Sequence, residues 1–199
     1  ALAGHSSSGK TTVAEAMLFL SGGLERLGRV SEGTATMDFD PEEIKRKTSV
    51  TTAVAPVEWK NYKINLIDTP GLFDFEGSVC EAVRAADTML IAVSAKSGVS
   101  VGTAANQNDL AKVFFVNGLC DESADFYKVF QDLKTYFGPA VCPLVVPFIV
   151  DGKVDCYINL LEYKAHRYES GTMKDVPMPD MGTRLDGLRT AIYEAVAET

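Results

Sequence analysis

The chain has 199 residues, 46% of them hydrophobic and 23% charged, with a formal net charge of −8. That composition supplies one ordinary domain with a sizeable core and a small subdomain besides, and it excludes a disordered chain. The acidic balance excludes a surface that binds nucleic acid all over, while leaving room for a local basic patch.

In chain order, Ala1-Leu2-Ala3 reads as the tail of a strand. A phosphate-binding loop normally emerges from a full buried strand, so this first strand is expected to be truncated. Beyond residues 4–11, Val13, Ala16, Met17 and Leu20 recur at helical spacing until Gly22-Gly23 stops the run. Residues 24–47 are polar and lack periodicity, with Gly28, Gly33 and the run Asp38-Phe39-Asp40-Pro41-Glu42-Glu43, and are expected to form a long mobile segment.

Residues 50–58 and 62–67 are apolar or β-branched runs joined at Trp59-Lys60-Asn61, the pattern of two antiparallel strands. Val79, Ala82, Val83 and Ala86 then mark a second helix. The continuous apolar runs 89–93 and 113–116 predict strands buried on both faces of a parallel sheet. Between them, 97–112 is poor in apolar residues: either the crossover helix is short, or residues are missing there.

Ser123 is a candidate cap for a helix with Phe126, Val129, Phe130, Leu133 and Phe137 on one face. Residues 144–149 and 154–160 predict strands about an Asp151-Gly152 turn, 163–181 is polar and Pro-containing, and 184–198 predicts a closing helix with Leu185, Leu188, Ile192 and Val196 on one face. The alternation of strands and helices makes the class α/β: a three-layer P-loop fold, with a mostly parallel central sheet, helices on both faces and a small inserted α+β subdomain. The expected division is 1–140 for the nucleotide-binding domain, 141–182 for the insertion and 183–199 for a returning helix.

Two motifs carry chemistry. Gly4-His5-Ser6-Ser7-Ser8-Gly9-Lys10-Thr11 matches the pattern in which glycines let successive N–H groups converge on phosphate oxygens at a helix start. Lys10 would neutralise the β and γ phosphates and Thr11 would ligate Mg²⁺. Asp68 ends an apolar strand, where a carboxylate can hold Mg²⁺ through its water shell, and Gly71 offers a free N–H to a γ-phosphate. A Gly/Ser turn capping a helix and an Asp-Thr-Pro-Gly turn are the bland alternatives.

Cys80, Cys120, Cys142 and Cys156 show no metal-site spacing and are expected to be reduced, buried thiols. No apolar run approaches the ~18 residues of a membrane span, and no leader pattern opens the sequence. A cytoplasmic monomer without membrane contact is expected.

Asp68-Thr69-Pro70-Gly71 followed by Asp74-Phe75, with Trp59-Lys60, Ile64-Asn65-Leu66-Ile67, Gly4-His5 and Gly9-Lys10-Thr11-Thr12, resembles the G domain of the elongation factor G family. The resemblance continues through Pro41-Glu42-Glu43-Ile44-Lys45-Arg46-Lys47 and the inserted region, covers nearly the whole chain, and leans toward the divergent elongation factor G-like paralogues. It implies the first domain of a five-domain translation factor that binds GTP and GDP with Mg²⁺, docks at the ribosome and hydrolyses GTP there. It implies no sequence-specific nucleic-acid binding by this domain. The family's late Ser-Ala base-contacting motif is expected to lie beyond the chain; Ser94-Ala95-Lys96 follows the wrong strand and is read as coincidence.

Four positions depart from the family pattern. Its switch threonine falls on Ser49, which keeps a metal-binding hydroxyl and is otherwise a polar residue at a strand start. The water-positioning histidine is replaced by Leu72, which has no polar atom, so slow or absent hydrolysis is expected. The base-reading Asn-Lys-x-Asp is replaced by Asn117-Gly118-Leu119-Cys120, where a thiol cannot accept the two guanine hydrogen bonds; Asp121 stands one place late and reads better as a helix cap. Ser7 takes a position where the family often carries an aspartate associated with a monovalent cation.

His5 is expected to be structural and His166 a surface or packing residue. Three functions stay open: a hydrolysing translational GTPase, a nucleotide switch or ribosome-docking module with little hydrolysis, and a nucleotide-promiscuous P-loop hydrolase.

Overall fold

The computed structural model describes residues 1–100, 103, 110–169 and 172–197. Half of the crossover expected over 97–112 lies outside these residues, as does the last residue of the closing helix, Glu198. The chain divides into two compact units, Ala1–Asn117 and the remainder from Gly118.

The first unit is built on a five-stranded sheet. Its strands are β1 (Leu2–Ala3), β2 (Ala53–Trp59), β3 (Tyr62–Asp68), β4 (Thr88–Ser94) and β5 (Ala111–Asn117), in the order β2-β3-β1-β4-β5. Only the β2–β3 pair is antiparallel; β1 joins β3 and β4 in parallel, and β4 joins β5 in parallel. Trp59 pairs with Tyr62 across Lys60 and Asn61, both with positive φ. That is the two-residue turn whose twist suits a hairpin.

Helix α1 (Lys10–Leu20) buries Val13, Ala14 and Leu18 against Leu2, Ala53, Val57 and Leu66 of the sheet. Burying each of the Val and Leu side chains contributes roughly 1.5–3 kcal/mol, so this face anchors the phosphate loop that precedes it. In β4, Met89, Ile91, Ala92 and Val93 are all buried, as the continuous apolar run requires. β5 differs from the expectation. It is the end strand of the described sheet, and its alternate side chains Val113 and Phe115 are exposed.

The segment 24–47, expected to be mobile, is instead organised. A 3₁₀ turn (Val30–Glu32) leads to helix α2 (Pro41–Arg46), which opens on a reciprocal capping box. The Asp40 side chain accepts from the Glu42 N–H, and the Glu43 side chain accepts from the Asp40 N–H. With Pro41 at the first helical position, this is a strong start signal that lacks only an apolar face. Helix α3 (Glu76–Ala85) also belongs to this unit and buries Ala82.

In the second unit, helix α4 (Phe126–Phe137) buries Phe126, Val129, Phe130 and Leu133. Its cap is Asp125, which accepts from the Lys128 N–H, and not Ser123 or Asp121; Asp121 accepts from the Ser123 N–H in the preceding turn. Strands β6 (Val145–Val150), β7 (Lys153–Asn159), β8 (Lys164–Glu169) and β9 (Thr172–Val176) form an antiparallel sheet in chain order. The β8–β9 hairpin falls where a polar irregular segment was expected; charged pairs such as Arg167–Asp155 occupy faces that an apolar pattern would have marked. Helix α5 (Thr183–Ala197) buries Leu185 and Ile192 and leaves Val196 exposed. Of the cysteines only Cys156 is buried; Cys80 and Cys120 are exposed, and all four are free.

Candidate functional site

Strand β1 hands the chain directly to the loop Gly4–Gly9, and α1 starts at Lys10. Gly9 turns in the left-handed region (φ 95°), and a side chain there would collide with the Asn117 amide. That amide sits at the end of β5 and donates from Nδ2 to the Ser8 carbonyl at 3.2 Å, so Asn117 braces the loop. Ser7 also has a positive φ, of 62°. The Ser8 N–H donates to the His5 carbonyl at 3.2 Å, and the His5 ring lies tilted against Phe73.

Lys10 is nearly inaccessible, and its ammonium donates to the His5 carbonyl at 3.0 Å. Burial holds its pKa below the ordinary lysine value, opposed by Asp68 and Asp38. A desolvated cation at a helix start is a strong attractor for an anion.

Beside it runs a chain of oxygens drawn from three distant segments. Thr11 Oγ1 donates to Asp68 Oδ2 at 2.7 Å, Ser49 Oγ donates to Asp38 Oδ1 at 2.7 Å, and the two hydroxyl oxygens stand 3.0 Å apart. Each hydroxyl has one proton, already directed at a carboxylate. With both protons on the carboxylates, the two oxygens face each other with lone pairs open to a cation. The outer oxygens Asp68 Oδ1 and Asp38 Oδ2 are buried with no hydrogen-bond partner among the described residues.

Burial pushes the Asp68 carboxyl up to about 6, with Thr11 and Lys10 pulling the other way. Asp38 is also raised, mainly by burial. Among the described residues no cluster of three His, Cys, Asp or Glu side chains could hold an ion by itself. Two carboxylates and two hydroxyls suit an ion that shares its shell with phosphate, and adjacent ligands of octahedral Mg²⁺ at about 2.1 Å stand about 3 Å apart. The donor set fits Mg²⁺ held by Thr11 and Ser49, with Asp68 and Asp38 behind.

Strand β3 delivers Asp68 and continues into Thr69, Pro70 and Gly71. The buried Thr69 hydroxyl donates to the Leu2 carbonyl at 2.7 Å, tying this turn to β1. Gly71 must be glycine: a Cβ would lie 2.8 Å from the Ser6 backbone and closer still to the Lys10 ammonium. The turn lies directly over the loop.

These elements enclose an open cleft of about 170 Å³ lined by Ser6, Ser7, Gly9, Lys10, Thr11, Thr12, Val30, Lys47, Thr48, Ser49 and Gly71. Most of the expected phosphate and metal residues are thus brought together. Leu72 is 39% exposed and does not line the cleft. Gly118, Leu119 and Cys120 belong to the second unit, where they form a turn with Cys120 exposed.

Three carboxylates escaped sequence reasoning. Asp38 joins the oxygen chain. Glu15, fully buried on α1, accepts from the Met37 N–H at 2.8 Å and holds the residue before Asp38. Glu43, also fully buried, accepts from the Val50 and Thr51 amides and the Thr51 hydroxyl, fixing the residues after Ser49. Burial would raise its pKa, but these bonds and the Asp40 N–H together hold it below the ordinary value. The Asp40-x-x-Glu43 spacing was the available signal; nothing local marked Glu15 or Asp38.

A model of the family described as the elongation factor Tu GTP binding domain matches residues 1–192. Among solved structures, a crystal structure of a protein from Thermus thermophilus superposes with a TM-score of 0.92 at 39% identity, over 99% of this chain and 30% of that one. The chain therefore spans about a third of the length of that protein.

Proposed function

The chain belongs to the elongation factor Tu GTP-binding domain family, and we propose that it is the GTP-binding domain of an elongation factor G-like translation factor, coupling GTP binding and hydrolysis to ribosome action. The observation that carries this reading is the pair of hydroxyls on Thr11 and Ser49, 3.0 Å apart between two buried carboxylates and beside buried Lys10. Lys10 and the loop amides hold the β and γ phosphates, and Gly71 offers its N–H to the γ-phosphate. Thr11, Ser49 and Asp68 hold Mg²⁺, which when bound neutralises charge on the phosphate oxygens. Lys10 and the amides keep the same positions while charge shifts toward the leaving oxygen, the preorganisation that lowers such barriers.

Residues 1–140 form the G domain in this reading, 141–182 its insertion and 183–199 the returning helix. The protein acts in the cytoplasm as a monomer; among the described residues no helix is long and apolar enough to cross a membrane. The His5 contact with Phe73 supports a structural role for that ring.

Leu72 favours a second reading, a nucleotide switch or ribosome-docking module with little turnover, since an exposed leucine cannot orient water. Titration with fluorescent GDP and ADP, then phosphate release with and without ribosomes, tests both. Guanine-selective binding with ribosome-stimulated release supports the first reading, and selective binding without release the second. ADP binding as tight as GDP would sink both and leave a nucleotide-promiscuous hydrolase, the outcome that the exposed thiol of Cys120 would explain.

A further inference from the structure

Helix α2 ends at Lys47 in the left-handed region, with φ 54° and ψ 41°. That is the place where helices favour glycine, because a Cβ there crowds the backbone. A lysine held in such a conformation is a strained residue, and strained residues concentrate at functional sites.

The strain is held by its surroundings. The Glu43 carbonyl accepts from the Lys47 N–H and, at 3.2 Å, from the Thr48 N–H, while the buried Glu43 side chain takes the amides of Val50 and Thr51. One residue thus fixes the backbone on both sides of Ser49. Lys47 is fixed with it, at the wall of the cleft that holds Lys10, Ser49 and Gly71.

The neighbouring cation behaves differently. Arg46 is paired with Glu42 one turn back along α2. Lys47 is exposed and takes part in no ion pair among the described residues. Its flexible four-carbon stem and compact ammonium suit a mobile phosphate contact. The Lys10 ammonium already donates to the His5 carbonyl, and its charge is drawn toward Asp68 and Asp38. A second cation at the cleft wall adds to the positive field that a terminal phosphate meets.

We propose that Lys47 is a second phosphate-binding cation, contacting the terminal phosphate of a nucleoside triphosphate and making the cleft prefer triphosphate over diphosphate. This rests on the nucleotide-binding reading of the cleft. Lys47 is a specificity residue supplied by the segment that also carries Ser49, so one segment, fixed by Glu43, presents metal ligand and cation to the phosphate together.

The test uses the intact protein with Mg²⁺, a fluorescent non-hydrolysable GTP analogue and fluorescent GDP, comparing wild type, Lys47→Gly, Lys47→Ala, Lys47→Arg and Lys10→Ala. The Gly and Ala variants are expected to lose about tenfold in triphosphate affinity, about 1.4 kcal/mol, and less than twofold for diphosphate. Arg is expected to stay within about threefold of wild type. Lys47→Gly is also expected to raise the melting temperature by relieving the left-handed strain, so lost folding cannot explain its lost binding. An unchanged ratio of triphosphate to diphosphate affinity in the Gly and Ala variants overturns the inference, as does an equal loss for both ligands. In either case, wild-type binding that Lys10→Ala abolishes leaves the nucleotide-binding reading standing. Wild type that binds neither ligand overturns both.

Discussion

Replacing Asp68 by asparagine is expected to stabilise the metal-free protein at neutral pH while abolishing Mg²⁺-dependent nucleotide binding. The folded protein holds the Asp68 carboxyl at about 6, against 3.8 as the ordinary value. Between those values the native state binds more protons than the unfolded one, so stability falls as pH rises. The contribution is fully present below 3.8, is lost as pH passes through about 6, and amounts to about 3 kcal/mol in all. Asp68 is only 2% exposed, so solvent screening does not reduce it much. Between pH 5 and pH 7.5 the loss is about 1.4 kcal/mol. Urea denaturation in chelator at the two pH values, for wild type and Asp68→Asn, measures the difference of slopes. Asparagine keeps an oxygen to accept from Thr11 and carries no charge. Adding Mg²⁺ and GDP is expected to restore wild-type stability at pH 7.5 and to leave the variant unmoved. Identical pH slopes for the two proteins would refute the reasoning.

Three further outcomes follow from contacts at the cleft. Gly71→Ala puts a methyl against Lys10 and the Ser6 backbone and is expected to weaken GDP binding at least tenfold, read by titration, with a fall in melting temperature. Leu72→His supplies the polar atom that position lacks and is expected to raise ribosome-stimulated phosphate release by about a hundredfold; no increase would show that water positioning is not what limits turnover. Glu43→Ala deletes a fully buried carboxylate that accepts from the Val50 and Thr51 amides and the Thr51 hydroxyl, so a loss of about 2 kcal/mol in denaturant unfolding is expected.

Much of this was visible in local pattern. The loop from Gly4 to Thr11 is contiguous, and its glycines and lysine are required by backbone geometry and charge wherever the motif occurs. The α1 and α4 faces and the hairpin turns at Lys60-Asn61 and Asp151-Gly152 were likewise legible, because period and turn chemistry are short-range properties. The β8–β9 hairpin was not, since charged side chains on an exposed sheet carry no apolar alternation.

By itself, then, the sequence determined a phosphate loop, an alternating α/β order and the candidate ligands Thr11 and Asp68 through spacing along the chain, while Ser49 came from the family resemblance. Only the tertiary structure decided that Ser49 meets Thr11 across 38 positions and Asp68 meets it across 57. It likewise decided that Asp38 enters the same oxygen chain, and that Glu15 and Glu43 hold an aperiodic polar segment in place. The physical reason is that these buried carboxylates are stabilised by donors from distant segments, and such partnerships leave no periodic mark on the residues that make them.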